Sequence, residues 1–269
     1  MSEPLLAARG VTIRFGGLIA LNDVDLDVAP SGITGLIGPN GAGKTTLFNA
    51  ITGLLRPDSG NVQYDGNNIV RWSPQRRGRA GIARTFQRLD LFVGMSVRDN
   101  LRASWEASVP GGVFGRQGRE GTAMVNSLIA RLGLEEVADR RAGTLPTGLG
   151  RMVELGRALA TRPRLLLLDE PSSGLDHTET ERFRDLLLEV TQTDGHDHPA
   201  PAVLLVEHDV QLVMEICQQI TVLDFGQRIA FGTPQEVRSN PVVIAAYLGE
   251  SAEHSGARST THSGARSTT

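Results

Sequence analysis

Residues 38–46 read Gly38-Pro39-Asn40-Gly41-Ala42-Gly43-Lys44-Thr45-Thr46 and satisfy the pattern GxxxxGK[ST] in full. Upstream, ITGLIG at 33–38 is an apolar run suited to a buried parallel strand. Downstream, TTLFNAITGLL places Leu47, Ile51, Leu54 and Leu55 at helical spacing. The order is therefore strand, glycine-rich loop, helix. In that order, successive backbone N–H groups and the helix N-terminus cradle phosphates, Lys44 reaches the β- and γ-phosphates, and Thr45 offers its hydroxyl to Mg²⁺. The competing account is a glycine-rich strand-to-helix turn with no ligand.

The rest of the composition sharpens the choice. Of 27 basic residues in a chain of 269, 26 are Arg, and the only lysine is Lys44. A compact ammonium and a planar guanidinium are not interchangeable in a tight space, so the one retained lysine marks the loop. A hydrophobic fraction of 40%, a charged fraction of 21% and a net charge of -3 exclude a disordered chain. They also exclude a polybasic partner of nucleic acid. Aromatics at 4% argue against recognition built mainly on stacking platforms. The single Cys217 excludes an intramolecular disulfide framework and a cysteine-based zinc site, which fits a reducing cytosol. Apolar runs such as LLLL at 165–168 meet Asp or Glu almost at once, so no segment reaches the roughly 18 residues of a membrane span. The opening MSEPLLAARG lacks the features of a secretory signal, and the sequence predicts a protein that stays where it is made.

A phosphate loop by itself names no reaction. PRLLLLDEP at 163–171 supplies a second buried strand, with Asp169 at its C-terminal end and Glu170 directly after it. In open α/β sheets, ligands sit beyond the carboxyl ends of the strands, which predicts that both acids face the phosphate site. Asp169 is suited to hold Mg²⁺ through water, and Glu170 to polarise a water in line with the γ-phosphorus. Hydrolysis is favoured over transfer to an acceptor.

SSGLD at 172–176 and LLVEHD at 204–209 complete a series, and with them the chain resembles the ATP-binding subunits of ABC transporters over residues 5–249. The resemblance implies an α/β fold: a P-loop NTPase core with an N-terminal antiparallel β region and an inserted helical subdomain. It places the core at 1–87 and 163–250, the helical subdomain at 88–162 and a polar tail at 251–269. It makes Glu170 the catalytic glutamate, Asp176 the end of the D-loop and His208 the switch histidine. Gln87, in ARTFQ, matches the glutamine that senses magnesium and faces the transmembrane partner. Phe15, ahead of Gly16-Gly17, stands where the family places an aromatic on adenine; a core phenylalanine is the alternative. By residue type alone His208 would be a capped core histidine, and only its family position argues otherwise.

One element departs from the family. Leu145-Pro146-Thr147-Gly148-Leu149 stands where LSGGQ is usual. In the family this signature caps the nucleotide held by a second subunit, through a serine hydroxyl and N–H groups at a helix start. Pro146 has neither hydroxyl nor N–H. Thr147 can offer a hydroxyl one residue later, and Gly148 keeps close backbone approach. The expectation is slow hydrolysis at the site that this signature completes. The resemblance also implies the partners: a second ATP-binding subunit, identical or related, separate transmembrane permeases, and an extracytoplasmic solute-binding protein. ATP and Mg²⁺ are the implied ligands, and the location is the inner face of the cell membrane, reached through the permeases.

The opening VTIRFGGLIALNDVDLDV and the ending FGTPQEVRSNPVVIAAYLGE resemble the ATP-binding subunits of importers of branched-chain amino acids, urea and short amides. The ATPases of lipopolysaccharide extraction share much of the ending, and a soluble ABC ATPase that moves no solute is the rival class. A P-loop kinase would leave Glu170 and His208 without a role. The glycine-rich 109–121 reads as a loop, and the polar 194–199 as a solvated turn whose Asp and His residues bind no metal. The duplicated HSGARSTT of the tail reads as disordered.

Overall fold

The computed structural model describes residues 3–109, 116–192 and 199–247. The Asp194–His198 stretch, the tail and the first part of the glycine-rich segment lie outside these residues. The chain runs β1 (Leu6–Phe15), β2 (Leu18–Val28), β3 (Ile33–Ile37), α1 (Lys44–Thr52), β4 (Ser59–Tyr64), β5 (Asn67–Asn68), α2 (Pro74–Arg79) and β6 (Ile82–Arg84). Three helices follow, α3 (Val97–Ser108), α4 (Arg116–Arg131) and α5 (Thr147–Ala160). It then runs β7 (Leu165–Asp169), α6 (His177–Val190), β8 (Ala202–Val206), α7 (Val210–Ile216), β9 (Gln219–Asp224), β10 (Gln227–Gly232) and α8 (Pro234–Ser239).

Two sheets organise these elements. One is antiparallel, in the order β2-β1-β4-β5; the other has the order β10-β9-β3-β8-β7-β6 and is parallel except for the β9–β10 hairpin. The parallel strands read as unbroken apolar runs because both of their faces are covered. Along β7, Leu166 and Leu168 enter one core with α3 to α7, while Leu165 and Leu167 enter the other with α1 and the antiparallel sheet. Strand β8 divides the same way, with Val203 and Leu205 on the helical side and Ala202, Leu204 and Val206 on the other. A side-chain period of two thus stitches two hydrophobic layers to one sheet.

Helix α1 is shorter than its apolar spacing suggests. It stops at Thr52, because Gly53 takes a left-handed φ of 81° and caps it, and Leu54 is left 53% exposed. The far end of α1 is closed by Arg77, which is 1% exposed. Its Nη1 donates to the carbonyls of Ala50 at 2.7 Å and Ile51 at 2.5 Å; its Nη2 reaches Ile69 O at 2.7 Å and its Nε Trp72 O at 3.2 Å. The Ala50 and Ile51 carbonyls belong to the last turn of α1, where a cation also complements the helix dipole. Burial lowers the Arg77 pKa to about 10. A Cβ at Gly53 would stand 2.8 Å from Arg77 Nε, so a side chain at 53 would displace the arginine.

The helical layer begins with Ser96, whose hydroxyl oxygen accepts from Asp99 N and caps α3. Residues 116–121, read from sequence as part of a loop, belong to α4. There Gly121 packs against the Trp105 ring, where a Cβ would not fit. Glycine marks a helix–helix contact at that position and not a turn.

Candidate functional site

The phosphate loop joins β3 to α1. Gly43 has φ 100°, and a Cβ on it would stand 2.8 Å from Ala20 O, so only glycine is accommodated. It provides no side-chain cap, which leaves the first N–H groups of α1 directed into the loop. Lys44 is 6% exposed, and its Nζ donates to Gly38 O at 2.6 Å and Pro39 O at 2.9 Å. Asn40, Gly41, Ala42, Gly43, Lys44, Thr45 and Thr46 line a cleft of about 540 Å³ together with Phe15, Gln87, Glu170 and His208. Phe15 is 49% exposed, which excludes the core reading of its ring.

Glu170 leaves β7 with a left-handed φ of 49°, a strained conformation for a non-glycine residue. Its N–H donates to Val206 O at 2.9 Å. The following Pro171 itself disfavours a right-handed helical turn at Glu170. Both carboxylate oxygens are engaged: His208 Nε2 lies 2.6 Å from Oε1, and Gln87 Nε2 donates to Oε2 at 2.7 Å. Three residues from three separate segments therefore meet on one carboxylate at the cleft.

Asp169 sits lower, 3% exposed, with Oδ2 accepting from Arg84 Nη2 at 2.8 Å. Arg84 also donates to Asn49 Oδ1 on α1 at 2.6 Å, so it ties the strand end to the phosphate helix. Glu207 is buried beside His208 and accepts from Ser172 N at 2.8 Å and His208 N at 3.3 Å. Burial raises its pKa, against the lowering effect of those N–H donors. The Gln87 segment is held from α5: Arg151 donates to Phe86 O at 3.1 Å and Gln87 O at 2.6 Å, and Glu154 accepts from Phe86 N at 3.3 Å. Burial lifts the Glu154 carboxyl above its ordinary range even though Arg151 donates to it at 2.9 Å. Arg84, Glu207, Arg151 and Glu154 were not singled out by the sequence. The only local signal was a carboxylate directly before His208.

Thr147, Gly148 and Asp176 do not line the cleft. Thr147 begins α5 after Pro146, which gives no side-chain cap, and Thr147 Cγ2 lies against Gly174. Gly148 faces the Glu179 carboxylate, leaving no room for a Cβ. Asp176 caps α6 in a capping box, its Oδ1 accepting from Glu179 N at 2.8 Å. The signature segment and the SSGLD loop therefore pack on each other, away from this chain's phosphate loop. A second groove, of about 660 Å³, opens between α2–β6 and the helices α3 and α5; Arg79, Phe86, Asp90, Glu154 and Arg157 are among its walls.

Fold and cleft together define an ATP-binding cassette. Residues 21–173 match the family described as ABC transporter, and the chain belongs to that family. Residues 227–253 match a second description, branched-chain amino acid ATP-binding cassette transporter. The high-affinity branched-chain amino acid transport ATP-binding protein LivG of Escherichia coli (strain K12) is 40% identical over 260 residues, covering 93% of this chain and 100% of LivG. BraF of Pseudomonas aeruginosa, of the same description, is 40% identical with the same coverage. Among solved structures, a nucleotide-free ATP-binding cassette of an ABC transporter superposes with TM-score 0.78 at 30% identity, covering 91% of this chain and 99% of that one. The ADP conformation of the cassette MJ1267 gives TM-score 0.78 at 29% identity, covering 92% and 100%.

Proposed function

We propose that this cassette hydrolyses ATP to drive uptake of branched-chain amino acids, or related small solutes, through separate membrane subunits. The observation that carries the reading is the meeting of Gln87, Glu170 and His208 at the cleft walled by the Lys44 loop. The phosphate loop holds the triphosphate of the substrate ATP. Glu170 accepts the proton of the attacking water, and the bond from the γ-phosphorus to the bridging oxygen breaks to give ADP and phosphate. His208 and Gln87 hold the Glu170 carboxylate at the cleft and orient it. The oxygen donors Thr45, Gln87 and Asp169 suit Mg²⁺, a hard cation that takes few protein ligands beside substrate phosphates. When bound, it neutralises phosphate charge.

The signature residues Thr147 and Gly148 and the D-loop Asp176 belong to a site completed on a second cassette. Their packing away from this chain's own cleft supports that division, and turnover then requires a pair of subunits. No helix among the described residues is long and apolar enough to cross a membrane. Membrane attachment runs through permeases docked at the groove beside Gln87 and α5, with an extracytoplasmic binding protein on the other side. A relative described as the lipopolysaccharide export ATP-binding protein LptB of Acidithiobacillus ferridurans is 34% identical, covering 93% of this chain and 98% of LptB. The higher identity to LivG and BraF and the match over 227–253 favour the importer.

Proteoliposomes holding the permeases and this chain, with ATP on its side, are expected to take up leucine in the presence of the binding protein. ATP hydrolysis without uptake of any branched-chain amino acid would overturn the solute assignment. Pro146→Ser is expected to raise the ATPase rate of the assembled complex several-fold, because it restores a hydroxyl at the uncapped start of α5. An unchanged rate would show that the signature does not limit turnover.

A further inference from the structure

The turn between β9 and β10 consists of Phe225 and Gly226, since Asp224 pairs with Gln227. Both turn residues have positive φ, 42° and 74°. Two-residue turns of that kind favour Asn-Gly or Asp-Gly, and an aromatic at the first position is strained. The Phe225 ring is also 88% exposed. Turn chemistry and the hydrophobic effect therefore both oppose phenylalanine here, and such conflicts gather at functional positions.

The turn itself is firmly held. Gly226 N donates to Ala42 O in the phosphate loop at 3.1 Å, and Gly226 O accepts from Asn22 N at 2.8 Å. A Cβ at Gly226 would stand 2.6 Å from Ala20 O, so the hairpin tip is pressed against β2. Phe225 is thus fixed at the wall of the same cleft that Phe15, Leu18 and Ile19 line from the β1–β2 hairpin. Those three side chains are 49%, 67% and 44% exposed, which gives the cleft an apolar side beside its phosphate loop.

We infer that Phe225 is a second wall for the base of the nucleotide, with Phe15 and Phe225 bracketing a purine from two different hairpins. The inference rests on the cleft being the ATP site. A planar base has two faces, and an aromatic on each removes both from water while leaving sequence-independent recognition of the ring. Phe225 then determines how strongly the base, and not the phosphate chain, contributes to affinity.

The test compares two probes, Mg-ATP and magnesium tripolyphosphate, by titration calorimetry on the full chain. Phe225→Asn removes the ring and installs a residue that suits the turn, so its melting temperature is expected to hold or rise. Its affinity for ATP is expected to fall about tenfold, within the range of base–aromatic stacking, with tripolyphosphate binding unchanged. Phe225→Trp is expected to restore ATP affinity. Unchanged ATP affinity in the asparagine variant would overturn the inference. Equal weakening of both probes would also overturn it, because the effect would then run through Gly226 into the phosphate loop. A wild-type chain that binds neither probe would instead sink the nucleotide reading itself.

Discussion

In the assembled complex, Glu170→Gln lowers the ATPase rate by at least about 10²-fold, the scale set by removing a positioned base. The variant keeps the shape of the side chain and one oxygen acceptor, so the Glu170 position, with its φ of 49°, is expected to survive intact. What disappears is the capacity to take a proton from water. ATP is still expected to bind, and under the proposed pairing unhydrolysed ATP is expected to hold two cassettes together. Size-exclusion chromatography with ATP therefore shows a pair for the variant and a faster-dissociating species for the wild type. A variant rate within a few-fold of wild type would place the base elsewhere and remove the foundation of the mechanism.

Lys44→Ala abolishes ATP binding at micromolar concentrations. The Lys44 ammonium is 6% exposed and parked on the Gly38 and Pro39 carbonyls. Those contacts tie the ammonium to the backbone of the loop that is proposed to hold the triphosphate. Charge-assisted hydrogen bonds to phosphate are each worth about 1.5–3 kcal/mol, so losing two weakens binding by a factor of roughly 10²–10⁴. Lys44→Arg does not rescue, because a planar fork does not fit where the ammonium is enclosed by backbone. Calorimetry with Mg-ATP reads both variants, and an affinity that stays near wild type in Lys44→Ala would contradict the placement of the triphosphate.

The strands around the site were legible because their residues obey a rule that needs no tertiary knowledge. A strand covered on both faces is apolar without interruption, as in 165–168 and 202–206. The end of α1 was less legible: Leu54 fits the helical spacing, but Gly53 turns left-handed and the helix stops one turn early. The carbonyls at that end are bound by Arg77, which lies 24 residues beyond Gly53 and looks like any of the 26 arginines of the chain. Arg84 and Arg151 were hidden for the same reason, since their partners Asp169 and Gln87 are brought to them only by folding. Phe15 could be read as core or as site from sequence, and its exposure is a property of where β1 ends. Glycine was misleading at 121, where it serves close packing on Trp105.

The solitary amine in the phosphate loop makes the chain its own reporter. A protease that cuts only after lysine has one internal target, the bond between Lys44 and Thr45 at the start of α1. Folded wild-type chain should yield a single nick, slowly, and a filled loop should slow it further. The gel ratio of one band to two fragments then measures occupancy without label, dye or engineered residue.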